Sequence, residues 1–164
     1  MDKLLATDNS WTGLILRVGL GVIMFPHGAQ KLLGWFGGPG LDATITGFTA
    51  QMHIPWLFAV LVIAAEFFGS LGLIFGALSR IAAFGITCVM LGAIAMVHWQ
   101  HGLFMNWAGT KGGEGFEFHL LAITIGIAIM LKGSGRWSID RALQSRSSGQ
   151  LPPVSEEKPP VKPA

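Results

Sequence analysis

Long apolar runs, broken by short polar or glycine-rich stretches, set the pattern of this chain. Four runs stand out: Trp11–Leu33, Pro55–Ala77, Ile81–Trp99 and Phe116–Leu131. Their interiors are rich in Leu, Ile, Val and Phe, and no apolar–polar alternation of the strand type competes with them. A bilayer is crossed by about 20 apolar residues in a helix. The pattern predicts an all-α membrane protein, a four-transmembrane-helix bundle occupying residues 1–146.

The connections differ in kind. Leu78–Arg80 is so short that it predicts an antiparallel hairpin of the second and third helices. The stretch Gly34–Ile54 opens with the turn-rich GWFGGPG, and then Leu41, Ile45, Phe48 and Met52 recur at helical spacing. That spacing predicts a short helix lying on the membrane surface. Arg136–Arg146 mixes basic residues with Trp137, Ile139 and Leu143, as expected of an interfacial segment. Residues 147–164 hold five of the eight prolines and no apolar periodicity, so a disordered cytoplasmic tail is expected there.

Composition agrees with the pattern. Hydrophobic residues make up 51% of the chain and charged residues 12%, too apolar for a soluble fold of 164 residues to cover its core. The net charge of +2 is too small to suggest a nucleic-acid partner. Cys88 is the sole cysteine, so neither an intrachain disulfide nor a Cys-rich metal site can form. Small residues at Ala65, Gly69, Gly72 and Gly76, and at Gly85, Gly92 and Ala95, suit close packing of helices in lipid. The first run carries Arg17 and lacks a cleavage-site pattern, so it reads as a retained helix rather than a signal peptide.

Charge also predicts orientation. With the N-terminus inside, Lys3, Arg80, Lys132, Arg136, Arg141 and Arg146 flank the cytoplasmic face, and only Lys31 and Lys111 lie outside. The positive-inside rule then places both termini in the cytoplasm of a multi-pass membrane protein. The six tryptophans all fall near the expected helix ends, where an aromatic belt belongs.

Ionisable side chains inside the runs are the candidates for chemistry, since each costs about 2.5–3.5 kcal/mol on insertion scales. They are Arg17, His27, Lys31, Glu66, His98, His101, Glu117 and His119. With a rise of about 1.5 Å per residue, Glu66 lies near the midplane and His27 about 7 Å further out. Side chains lean toward the N-terminus of their own helix, so His27 and Glu66 lean toward each other. Glu66 is expected to be neutral, or paired with His27 or another donor from a facing helix. Arg17 leans the opposite way, and either snorkels to the interface or serves the structure. The remaining groups gather in the outer half. They predict a polar pocket lined by His27, Lys31, Glu66, His98, Glu117 and His119.

Several occupants fit such a pocket. His98, His101, His119 and Glu117 could ligate a transition metal, although HWQH followed by EFH is no standard metal motif. A quinone or quinol site would use a histidine or carboxylate that exchanges protons near lipid. An internal hydrogen-bond network that only holds the bundle together accounts for the same residues.

Three segments together resemble the DoxX family. LILRVGLGVIMFPHGAQKLLGWFGG is similar to its opening helix, AEFFGSLGLIFG to its second helix, and MVHWQHGLFMNWAGTKGGEGFEFHLL to the third-to-fourth helix connection of a subgroup. The resemblance runs from Leu14 to Ile139 and places Arg17, His27, Lys31, Glu66, Glu117 and His119 on motif positions. It implies a four-helix protein of the bacterial inner membrane with a loose link to quinol and sulfur redox chemistry. Three functions follow as expectations. One is a redox-linked membrane subunit that binds quinol or a small reductant and relies on a redox protein partner for electron transfer; a homo-oligomer is the other assembly left open. Another is a non-catalytic scaffold or chaperone-like protein. The last is a metal-binding or solute-handling protein. Whether it is an enzyme stays open at this point.

Overall fold

The computed structural model describes residues 5–147; Lys3 and nearly all of the proline-rich tail lie outside the described residues. Ser10 starts the first helix, α1 (Trp11–Leu33): its hydroxyl accepts the Gly13 N–H at 3.1 Å and donates to Asp8 Oδ1 at 2.6 Å. That bond from Ser10 holds the Asp8 carboxyl below its ordinary pKa. Gly34, in the left-handed region at φ 71°, ends α1, as glycine commonly does at this position. A single 3-10 turn, Trp35–Gly37, leads into α2 (Gly40–Thr46), which continues as a π-turn over Gly47–Gln51. The short helix expected in this connection is therefore present.

Next comes α3 (Trp56–Phe75), closed by Gly76 at φ 69°. A tight turn leads into α4 (Ser79–Ala93), which is prolonged by a π-turn, Ile94–His98, and a 3-10 turn, Trp99–His101. The structure then forms α5 (Glu117–Lys132) and α6 (Ile139–Ser147). No strand occurs among the described residues. Three helical stretches are long and apolar enough to cross a membrane: Trp11–Leu33, Trp56–Phe75 and Ser79–His101. Helix α5, with 16 residues, is shorter than the roughly 20 that span a bilayer without adjustment.

Helix α1 packs on α3, α3 on α4, α4 on α5, and α5 back on α1. Leu20, Met24, Leu73, Ala83, Ile86, Met90, Ala122 and Ile129 fill the space between the four. Outward, Phe58, Phe68, Phe75, Phe84, Leu91, Leu121 and Leu131 are exposed, the inverse of a soluble surface and the expected dress of a bundle in lipid. Cys88 points outward with them.

The closest approach of α1 and α3 is made by glycine. A Cβ on Gly28 would lie 2.6 Å from Phe67 Cα, and one on Gly21 would lie 2.9 Å from Ser70 O. These two positions, seven residues apart, fix which face of α1 meets α3. That choice of face determines the site.

Candidate functional site

Polar groups occupy both ends of the bundle, and the two sets do different things. At the end away from the chain termini, Lys31 Nζ lies 2.5 Å from Glu66 Oε2. Glu66 is buried on the inner face of α3, which it shares with Ile63, Ser70 and Leu73. Lys31 stands three residues beyond Gly28, so it shares the α1 face that meets α3. Its stem reaches back toward the N-terminus of α1, and Glu66 leans toward the N-terminus of α3, so the two converge between antiparallel helices. Lys31 keeps 24% of its side chain open and Glu66 only 5%, so the pair is reached from the lysine side.

Of the partners expected for Glu66, His27 or another donor from a facing helix, the structure brings the second kind, Lys31. His27 precedes Gly28, and one residue turns about 100° around a helix. The imidazole is therefore rotated off the α1–α3 seam, exposed, with its ring 6.3 Å from that of Phe118 on α5. It remains within electrostatic reach of Lys31 and Glu66.

His119 is the most enclosed of the histidines. It is 7% exposed, its ring centroid lies 4.1 Å from that of His98, and its Nδ1 is shielded from solvent with no partner among the described residues. His98 Nδ1 is 2.8 Å from the Glu114 carbonyl, which orients that ring. His119 lies within electrostatic reach of both His98 and His27. The structure thus assembles a row of ionisable groups, Glu66, Lys31, His27, His119 and His98, running from α3 across α1 to α5 and α4.

Glu117 and His101 are not part of this row. Glu117 Oε1 accepts the Met105 N–H at 3.0 Å and faces the Trp107 indole N–H at 3.4 Å, so it braces the connection before α5. His101 sits beside Gln100 and packs its ring over Gly113. Among the described residues no three His, Cys, Asp or Glu side chains come together in a way that could hold a metal ion. Of the metal candidates His98, His101, His119 and Glu117, the structure brings only His98 and His119 side by side: the Glu117 carboxylate is turned to the Met105 N–H and the Trp107 indole, and the His101 ring lies over Gly113.

At the other end, Arg17 is 1% exposed and its guanidinium donates to five carbonyls. Nε reaches Ser134 O at 2.8 Å; Nη1 reaches Leu73 O and Ile74 O at 2.9 and 2.6 Å; Nη2 reaches Arg136 O and Trp137 O at 3.1 and 2.7 Å. Leu73 and Ile74 belong to the last turn of α3, whose carbonyls lack an i+4 N–H in the helix; the Leu73 carbonyl also accepts the N–H of the capping Gly76 at 3.3 Å. Arg17 does not snorkel; it ties α1, α3 and the segment after α5 together.

Asp140 completes this lattice and was not among the sequence candidates. Its Oδ1 accepts the Leu78 N–H at 2.6 Å, and its Oδ2 accepts the Ser79 N–H at 3.0 Å and the Ser134 hydroxyl at 2.5 Å. It caps α4 from a distance of about sixty residues along the chain. No local motif announces it, because the first turn of α4 supplies no capping side chain of its own and the substitute comes from α6.

Comparison with known proteins adds the following. The family model described as DoxX matches residues 12–99. That stretch holds Arg17, His27, Lys31, Glu66 and His98, and excludes Glu117 and His119. The chain is 29% identical over 116 residues to the "Putative oxidoreductase CatD" of Bacillus subtilis (strain 168), which covers 71% of this chain and 76% of that protein. No solved structure matches.

Proposed function

The chain belongs to the DoxX family, and on that premise we propose that it is a redox-linked subunit of the bacterial inner membrane that binds a quinol or similar small reductant. In this reading α5 is a fourth span, both termini are cytoplasmic, and the row from Glu66 to His98 lies in the outer half of the bilayer. The observation that carries the proposal is the Lys31–Glu66 pair, 2.5 Å apart within apolar helices, in a row of ionisable groups that also holds the buried His119 Nδ1, which has no partner among the described residues. A buried unsatisfied polar group costs about 1–3 kcal/mol. An ion pair in lipid carries a further desolvation cost, so such groups by default mark function.

The chemistry fits the groups. A quinol hydroxyl can donate to His119 Nδ1, and a quinone carbonyl can accept from Lys31. Oxidation of quinol to quinone releases two protons and two electrons. The imidazoles and Glu66 take the protons, and a partner redox protein takes the electrons. The name of the Bacillus subtilis relative, "Putative oxidoreductase CatD", points the same way.

The test is purification of the full chain in mild detergent, followed by extraction and chromatography of bound quinone. Wild type should carry quinone in near-stoichiometric amount. Glu66→Gln and His119→Gln should lose most of it while their melting curves still show a cooperative transition. Quinone content in both variants equal to wild type, or absent from wild type, rejects the reading.

A further inference from the structure

We propose that the groove between the start of α1 and helix α6 is a phosphate-binding site, and that the phosphate it takes is an anionic lipid headgroup. The groove encloses about 410 Å³ and is lined by Asn9, Arg136, Trp137, Ser138 and Arg141 among others. That volume lies within the range of about 300–1,000 Å³ common to ligand sites. Among the described residues no acidic side chain lines it. The nearby carboxylates are engaged elsewhere: both oxygens of Asp140 face the turn before α4, and Asp8 is bonded to Ser10.

The two arginines are held for this role. The Arg136 guanidinium lies over the Trp11 ring at 4.6 Å, which engages its face and leaves its N–H edge for bidentate bonds to phosphate oxygens. Arg141 Nη1 is shielded from solvent and has no hydrogen-bond partner among the described residues. Asn9 adds a side-chain amide to the wall, while the Ser138 hydroxyl is bonded to the Gly135 carbonyl and the Arg141 N–H and so fixes the start of α6 beside the groove.

The source of the phosphate follows from the surroundings. Trp11 and Trp137 meet edge to face at 5.1 Å, and they are 50% and 74% exposed. Trp137 is held in the left-handed backbone region at φ 49°, which presents its ring outward. Exposed tryptophans at the end of a spanning helix mark the headgroup level of a bilayer. The groove lies at that level, beside the ring pair, where basic pockets next to spanning helices take lipid phosphates. This inference is independent of the quinol reading, because the groove and the ionisable row lie at opposite ends of the bundle.

The experiment is a thermal melt of the full chain in a neutral detergent, with added phosphatidylglycerol, phosphatidylcholine or inorganic phosphate. Phosphatidylglycerol should raise the melting temperature well above the phosphatidylcholine control, and Arg141→Gln should abolish that rise. An equal rise with inorganic phosphate, also abolished by Arg141→Gln, would keep the phosphate site and make free phosphate its ligand. The proposal is overturned if neither phosphatidylglycerol nor phosphate raises the transition, or if the rise survives in Arg141→Gln. Should Arg141→Gln fail to fold, Arg141→Lys keeps the charge and loses the fork. A weaker lipid shift in that variant supports the site, and an unchanged one overturns it.

Discussion

At the scale of single residues, Arg17 and Glu66 meet the cost of burial in different ways. Arg17 turns its donors to backbone carbonyls, and Glu66 faces a lysine from the neighbouring helix. The Arg17 arrangement depends on the planar fork, since lysine offers three donors where arginine offers five. We expect Arg17→Lys to lower stability by at least about 3 kcal/mol, because hydrogen bonds to a charged group are worth about 1.5–3 kcal/mol each. A melting curve in detergent that superimposes on wild type would exclude this role. For the ion pair, Glu66→Leu should leave the Lys31 charge uncompensated, at about 1–3 kcal/mol after discounting for the open lysine side. The double variant Lys31→Met/Glu66→Leu should recover much of that loss, and a strictly additive cycle would show that the two do not interact. That Lys31, His27 and Glu66 are special was legible from their place in apolar runs. Which of them pair was not, because His27 and Lys31 both lie within the lean of Glu66 and only the rotation of α1 separates them.

At the scale of elements, contacts between helices turn on glycine and on caps borrowed from elsewhere in the chain. A Cβ at Gly28 would meet Phe67 N and Cα at 2.5 and 2.6 Å, whereas one at Gly19 meets nothing within 4 Å. Gly28→Ala should therefore cost about 1–3 kcal/mol by overpacking and weaken the Lys31–Glu66 contact. Gly19→Ala should be neutral or stabilising by up to about 1 kcal/mol, as alanine is the better helix former. Equal melting temperatures for the two variants would contradict this assignment of faces. Helix α4 begins without a capping side chain of its own, and Asp140 on α6 supplies one. Asp140→Ala should cost about 1–2 kcal/mol, the upper range for a lost cap. Amide exchange at Leu78 and Ser79 should rise selectively; unchanged exchange there would show that the cap is idle. The small-residue stripes were visible along the chain, but their partners were not. A stripe states that something comes close, and the antiparallel neighbour decides what.

At the scale of the whole molecule, the ring of α1, α3, α4 and α5 brings both described chain ends to one side of the bundle. The Arg136 N–H bonds Ser10 O at 3.1 Å and the Thr7 N–H bonds Gln144 Oε1 at 3.2 Å. Reporter fusions after Leu78 and after Arg146 should read cytoplasmic, and one after Thr110 should read external. An external reading at Arg146 would mean that α5 does not cross the membrane, and the four-span reading would fall.

Helicity, apolar solvation and the identity of the ionisable side chains within the apolar runs were determined by the sequence alone. A run of about 20 apolar residues has its backbone satisfied within the helix and its side chains satisfied by lipid, and neither condition refers to any other part of the chain. The partners themselves were decided only by tertiary structure. Lys31 rather than His27 meets Glu66, Arg17 binds carbonyls instead of the interface, Glu117 braces a loop instead of lining a pocket, and Asp140 caps a distant helix. Each of these choices depends on the rotation of one helix against another. One residue turns a helix by about 100° and advances it by only about 1.5 Å, so neighbours along the chain face different partners. Local pattern narrows the candidates, and the packing of glycine against backbone selects among them.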